Sequence, residues 1–285
     1  MTTIVLSHSQ IATWRQCLYK YKIKYRDNWA DTSGPAARLG LLWHELMEDY
    51  YNPAGQPADR LMQWDAGFWP EYMDEAYVEE RQEALVKLAW MLQGYAEHYV
   101  SDEWCIVAQE AEHEIVLAPA EGDLPEIRLY VRVDMLASLG TNPALWLVDH
   151  KTAGQMPRQL QLDLDDQFTL YTAALRRLGY DVRGVLHNCV LTRMNKVKPQ
   201  ELSDRFQRTP MVRNRAEGEQ ALREVVTYAR WLHQAPDELL VRMPHPESCQ
   251  RRCGFVDGCL HERKGYGEIG VFLQSAGFKH REPRS

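Results

Sequence analysis

Two short stretches of this 285-residue chain hold the residue types that hydrolytic chemistry needs. In LYVRVDML an aspartate, Asp134, closes an apolar run. In LWLVDHKTA a second, Asp149, is followed two positions later by Lys151. Both runs read as strands, and residues i and i+2 of a strand lie on one face. Asp149 and Lys151 therefore share a face, while His150 turns its side chain the other way and keeps its main-chain carbonyl available. Asp134 is expected at the end of the neighbouring strand, so that two carboxylates and one ammonium converge at a sheet edge. Close carboxylates repel, and a hard divalent cation such as Mg²⁺ relieves the repulsion while retaining waters. A lysine beside it can orient a water or help deprotonate it, which suits hydrolysis of a phosphodiester. An Asp–Lys pair on a strand is more often a surface ion pair of little consequence. Here Asp149 emerges from LWLV, a run that reads as buried.

Smaller sets accompany this one. Gly40 and His44 lie one helical turn apart in GLLWHE, and Gln167 and Tyr171 share a helix face in the same way. Each alone is weak, since a lone helical histidine is usually structural. CQRRCGFVDGC places Cys249, Cys253 and Cys259 at C-x3-C-x5-C. Three thiolates fall one short of the four that a zinc ion or an iron–sulfur cluster takes. Radical chemistry with S-adenosylmethionine needs C-x3-C-x2-C, and the x5 spacing sets it aside. Cys105 and Cys189 stand at no motif spacing and are expected to be small buried hydrophobes.

These groups need elements to hold them. SHSQ, from Ser7, resembles a capping box at the start of a helix carrying Ile11, Trp14, Cys17, Leu18 and Tyr21 on one side. A second helix, AARLGLLWHELMEDYY, ends near Asn52-Pro53, and an acidic helical stretch follows over roughly 70–100. Three strands come next, CIVAQEAEHEIVLA, EIRLYVRVDMLAS and ALWLVDHKT. Then come a helix closed by Gly179, a strand GVLHNCVLTR, a long helix over 214–235 and a loop-rich tail. The order predicts an α/β core with a helical insertion.

Composition is that of a soluble globular chain, 45% hydrophobic and 26% charged, with no apolar run long enough to span a bilayer. MTTIVLSHSQ does not read as a signal peptide, so a reducing, cytoplasmic setting is expected, with metal or redox roles for clustered cysteines rather than disulfides. Net charge is −7, yet residues 1–30 and 183–215 are rich in Lys and Arg, which suggests local basic surfaces on an acidic body. Arg193, Lys196 and Lys198 are candidates to track a nucleic-acid strand. No G-x-x-x-x-G-K-[ST] phosphate loop is present.

Taken together, the ordered motifs resemble the RecB-like branch of the PD-(D/E)xK nuclease superfamily, and within it the iron–sulfur exonucleases. The resemblance runs from Ser7 to about Cys259. It matches G-x-x-x-H at Gly40 and His44, G-x-x-D at Asp134 with Val131 or Arg132 in place of glycine, (D/E)-x-K at Asp149-His150-Lys151, and Q-x-x-x-Y at Gln167 and Tyr171. It implies a single domain over 1–285 with a restriction-endonuclease-like core, a small mixed sheet flanked by helices. An N-terminal helical region, a helical insertion at about 53–103, a nuclease core at about 104–240 and a cysteine-bearing tail at 241–265 would make up that domain. His44, Asp134, Asp149 and the His150 carbonyl would bind Mg²⁺ or Mn²⁺. Lys151 would act on the attacking water, and Gln167 and Tyr171 would contact substrate or brace the site. Cys17 would join Cys249, Cys253 and Cys259 around a structural [4Fe–4S] cluster. The implied activity is exonucleolytic hydrolysis of DNA, single-stranded or with free ends, in recombination, repair or end-processing. The origin would be phage or cellular, and the partner a helicase, recombinase or integrase. The alternatives are a DNA-binding or assembly subunit and a structure-specific endonuclease, with zinc or iron–sulfur at the clasp.

Overall fold

The computed structural model describes residues 2–31, 34–65, 75–195 and 200–281. In chain order its elements are β1 (Thr3–Ser7), α1 (His8–Gln16), α2 (Leu18–Tyr21), α3 (Pro35–Tyr51), α4 (Pro57–Asp65), α5 (Glu75–His98), β2 (Trp104–Ala118), β3 (Glu126–Leu139), β4 (Leu145–Ala153), α6 (Gln159–Asp163), α7 (Asp166–Arg177), β5 (Val182–Leu191), α8 (Leu202–Arg205), β6 (Phe206–Val212), α9 (Arg215–Gln234), α10 (Pro246–Arg252), α11 (Val256–Arg263) and α12 (Ile269–Ser275). The residues form two compact units. One comprises Met1–Gly34, Val116–Tyr130 and Arg223–Ser285, the other Pro35–Ile115 and Val131–Leu222.

The second unit carries the α/β core. β4 is antiparallel to β3 and parallel to β5, and β5 is antiparallel to β6. This is a mixed sheet with helices on both sides. On one side α3 and α5 bring Leu39, Trp43, Leu46, Leu88, Met91 and Tyr95 against Val190 and Phe206. On the other, α7 brings Phe168 and Leu175 against Val133, Leu147, Val185 and Met211. Both flanks are apolar, as a sheet buried on two faces requires. β6 escaped the sequence reading because FQRTPMV holds Pro210. It ends the strand order, where a missing N–H is tolerated.

In the first unit β1, also not anticipated, pairs in parallel with the start of β3, from Thr3 opposite Glu126 to Ser7 opposite Tyr130. Ser7 and Gln10 form the expected capping box on α1. The helix does not run on through Cys17. Cys17 is extended, and its sulfur accepts the Lys20 amide at 3.5 Å, so it ends α1 and caps α2. The tail expected to be loop-rich is helical instead. α10 starts with Pro246 behind a His245 cap, and Phe255, Ile269 and Leu273 pack on Ile23 and Trp29. Sparse apolar residues over three short helices leave little periodicity to read.

Candidate active site

The backbone ladder between β3 and β4 runs only as far as Met135 opposite Val148. Asp134 therefore stands not at the end of its strand but at the point where pairing with β4 stops. Past that point its side chain takes over, and Oδ2 accepts the His150 amide at 2.8 Å. The N–H and C=O of one strand residue point to the same side, so the His150 carbonyl faces the same opening. On the far side β4 stays paired to β5, with Asp149 opposite His187, His150 opposite Asn188 and Lys151 opposite Cys189. Alternation then places Asp149 and Lys151 on one face, His150 on the other.

α3 brings His44 over this opening, with Nδ1 3.2 Å from Asp134 Oδ2. Gly40, one turn earlier, faces β4: a Cβ there would lie in ordinary contact, 3.4 Å from Thr152 Oγ1, with no room for a longer side chain beyond it. A residue that sequence reasoning missed completes the group. Glu110, in β2, has φ of 48°, a left-handed backbone that a glutamate seldom adopts. There the in–out alternation of β2 slips by one residue, the mark of a bulge that re-aims a side chain. Among the described residues, His44, Glu110 and Asp134 each offer a ligand atom within 4.8 Å of the others. Arg132 donates to Glu110 Oε2 at 2.7 Å. The only sequence trace of this residue is the acidic alternation in AQEAEHE, which does not say which glutamate turns inward.

The charges are tightly linked. Burial alone would raise the Asp134 carboxyl, but the His44 hydrogen bond and charge outweigh it and hold the group well below the usual range. Burial likewise would lower His44, and Asp134 raises it instead. Asp149 goes the other way, pushed up by burial despite Lys151. Burial would lower Lys151, but Asp149, whose Oδ1 accepts from Nζ at 2.7 Å, and then Asp134 raise it above its ordinary value. Lys151 is thus an ammonium at neutral pH. Glu110 is raised by burial and then by Asp134.

α7 closes the site from the opposite flank. Gln167 Nε2 lies 3.5 Å from Asp149 Oδ1. Tyr171 is half-buried one turn on, its phenol pushed up to about 12 by burial, with the charges of Lys151 and Asp149 within reach. Gln167 therefore braces Asp149 directly. Among the described residues Asp149 Oδ2 is buried with no hydrogen-bond partner. An orphaned carboxylate oxygen beside a His, Glu, Asp group has the donor chemistry of a hard divalent cation's site.

In the first unit, Cys17, Cys249, Cys253 and Cys259 all line one cavity of about 650 Å³. All four thiols are free. Cys17 Sγ also accepts the Met243 amide at 3.5 Å, and burial raises the thiols of Cys253 and Cys259. Among the described residues no three of these sulfurs lie within 4.8 Å of one another. Four thiols on one cavity are a donor set that fits a sulfur-ligated group. Cys189 is buried as expected, but Cys105 is exposed, on the outward phase of β2.

The profile of the PD-(D/E)XK nuclease superfamily matches residues 5–260. The chain belongs to this superfamily. It is therefore a nuclease, and the superfamily uses divalent metals. Among solved structures, similarity extends to a candidate exonuclease from Eubacterium rectale, at 14% identity and TM-score 0.47, covering 99% of this chain and 91% of that one. It extends also to SSO0001, at 12% identity and TM-score 0.30, covering 84% and 92%. No curated protein matches.

The first basic sequence stretch is offset by acids in the fold, while the second leaves Arg183, Arg193 and Arg215 exposed. In the first stretch Arg15 faces Glu224, Lys20 and Lys24 face Asp31, and Lys22 and Arg26 face Asp237. In the second, Arg205 and Arg213 are buried. Arg193 is exposed, while Lys196 and Lys198 lie outside the described residues. Among the described residues no helix is long and apolar enough to cross a membrane.

Proposed function

We propose that this nuclease hydrolyses DNA phosphodiester bonds from strand ends, using Mg²⁺ or Mn²⁺ held by His44, Asp134, Asp149, the His150 carbonyl and Glu110. The orphaned Asp149 Oδ2 carries the reading: a buried carboxylate oxygen without a partner is costly unless a cation completes it. A bound divalent ion would neutralise the carboxylates and polarise the scissile phosphate as a Lewis acid. Lys151, held as an ammonium by Asp149, donates to the attacking water or to a non-bridging oxygen and stabilises the charge that develops there. Its contact with Asp149 assigns it a positioning and electrostatic role. The water oxygen bonds to phosphorus and one P–O ester bond breaks; the proton that the water loses passes to solvent and the leaving oxygen takes one up from solvent, so a phosphate monoester and a hydroxyl result. Gln167 fixes Asp149, and Tyr171 lines the approach where substrate would lie.

The cysteine cavity is read as the seat of a structural [4Fe–4S] cluster, supported by the four free thiols on one cavity and the amide–sulfur contacts, and in keeping with a reducing cytoplasm. Action from strand ends follows the resemblance to iron–sulfur exonucleases. A helicase, recombinase or integrase partner belongs to the same reading.

The test is digestion of end-labelled single- and double-stranded DNA with Mg²⁺ or Mn²⁺, with Lys151→Ala as control. Cleavage from the ends is expected, lost in the variant by at least about 10³-fold while DNA binding is kept. Undiminished cleavage in Lys151→Ala would overturn the site. Cleavage of closed circular DNA would replace the exonuclease by an endonuclease.

A further inference from the structure

Beneath the site, on the face away from Asp149 and Lys151, lies a buried polar network that the reaction does not use. Asn188 of β5, 2% exposed, lies opposite His150 in register, and its Nδ2 is 2.8 Å from His150 Nδ1. The same amide nitrogen donates to the Tyr95 hydroxyl at 2.6 Å, and Oδ1 accepts from Arg208 Nε at 3.4 Å. With both N–H groups and the oxygen engaged, the amide has one orientation, and it presents a donor to His150 Nδ1. Arg208, opposite Asn188 in β6, holds Asp102 through two hydrogen bonds at 2.6 and 2.5 Å. It also donates to the hydroxyls of Tyr51 at 3.0 Å and Tyr95 at 2.9 Å. Tyr51 in turn stacks on the His150 ring, 5.6 Å between centroids and 20° between planes.

The location gives the network a task. The backbone ladder to β3 stops after Val148, so among the described strands the segment bearing Asp149, His150 and Lys151 is backbone-paired with β5 alone. The His150 peptide is the one that meets Asp134. A buried ion pair is weak evidence for stability, because apolar residues of similar volume often serve as well. It does fix geometry, since each member is fully engaged in one arrangement. We propose that Asn188 and Arg208 are positioning residues, which set the His150 peptide, and through it Asp134 and the carbonyl opening, for divalent-cation binding. The inference rests on the metal-site reading above.

The test is direct Mn²⁺ binding by calorimetry, which needs no turnover, with the unfolding midpoint in chelator measured alongside. The proteins are wild type, Asn188→Ala, Arg208→Lys and, as control, Val182→Ala, a buried substitution at the far end of β5. Loss of a group that orients ligands typically weakens metal binding by about 10–100-fold. Asn188→Ala and Arg208→Lys are expected to show a loss in that range, and Val182→Ala none even where its midpoint falls as far. Arg208→Lys keeps the charge for Asp102 but lacks the fork that reaches Asn188 and both tyrosines. A folded Asn188→Ala that binds Mn²⁺ like wild type would overturn the proposal. If that variant does not fold, Arg208→Lys decides on the same criterion. A wild type that binds no Mn²⁺ would instead overturn the metal site itself, and the positioning role with it.

Discussion

At the scale of single residues, the site is a balance of carboxylates pulled in opposite directions. His44 keeps Asp134 ionised, while burial opposes ionisation of Asp149 and Glu110. Glu110 offers the clearest handle. Its folded pKa is raised, so its contribution to stability is complete below its ordinary value of 4.5 and is lost as pH rises through the elevated one. In the metal-free protein, ionised Glu110 beside Asp134 is thus a cost at alkaline pH, which Glu110→Gln removes. With chelator present, Glu110→Gln should melt above wild type at pH 8, by about 2–4 °C for each kcal/mol relieved, and level with it near pH 4.5. Added Mn²⁺ should reverse the order at pH 8, because a ligand is gone. Melting curves of both proteins at both pH values, with and without Mn²⁺, check this. A variant no more stable than wild type at pH 8 without metal would show that ionised Glu110 carries no net cost from its burial or from Asp134. The contrast with Asp149 and Lys151 shows what a sequence discloses. Their shared face follows from the two-residue period alone. Glu110 is one of three alternating glutamates, and only a local backbone slip, with φ of 48°, selects it.

At the scale of elements, catalysis depends on how closely α3 lies over β4. Gly40 is the point of nearest approach. Its hypothetical Cβ meets Thr152 Oγ1 at 3.4 Å, within ordinary contact, so alanine fits and a longer side chain does not. Gly40→Ala is expected to retain full cleavage and to gain up to about 1 kcal/mol from helix propensity. Gly40→Leu is expected to lift His44 from Asp134, raising the Mn²⁺ concentration for half-maximal cleavage on the order of tenfold while the protein stays folded. Equal Mn²⁺ requirements in the two variants would show that α3 does not position the site. Elements with strong periodicity were legible in this way: α3, α7, β2, β3, β4 and β5 fall where the apolar pattern puts them, and α5 lies within the acidic stretch read as helical. What was lost had a physical cause in each case. TIVLS is too short to register, and β6 carries a proline that its edge position excuses. The 3.6-residue spacing across Cys17 is interrupted because the thiol caps a new helix. Charge clusters misled for a related reason. A run of lysines in sequence says nothing of the aspartates, Asp31 and Asp237, that the fold sets against them.

At the scale of the whole molecule, the chain is threaded so that one unit is assembled from both termini and a middle segment, while every residue of the proposed cutting centre lies in the other. Cys17 and Cys259 are 242 positions apart, yet line one cavity. A group that binds all four cysteines closes that long loop, and closure of a chain segment of this length removes on the order of 5 kcal/mol of unfolded-state entropy. The metal clip is thus expected to contribute to stability, not to chemistry. Cys253→Ser should lose the brown colour of a cluster and lower the unfolding midpoint on the order of 10 °C. Below that new midpoint it should still cleave DNA with an unchanged Mn²⁺ requirement. Absorbance, metal analysis and melting of anaerobically purified protein decide the matter together. Stoichiometric zinc with no visible absorbance would replace the cluster by a single ion. A variant that keeps its midpoint but loses cleavage would move the clasp from architecture into the reaction.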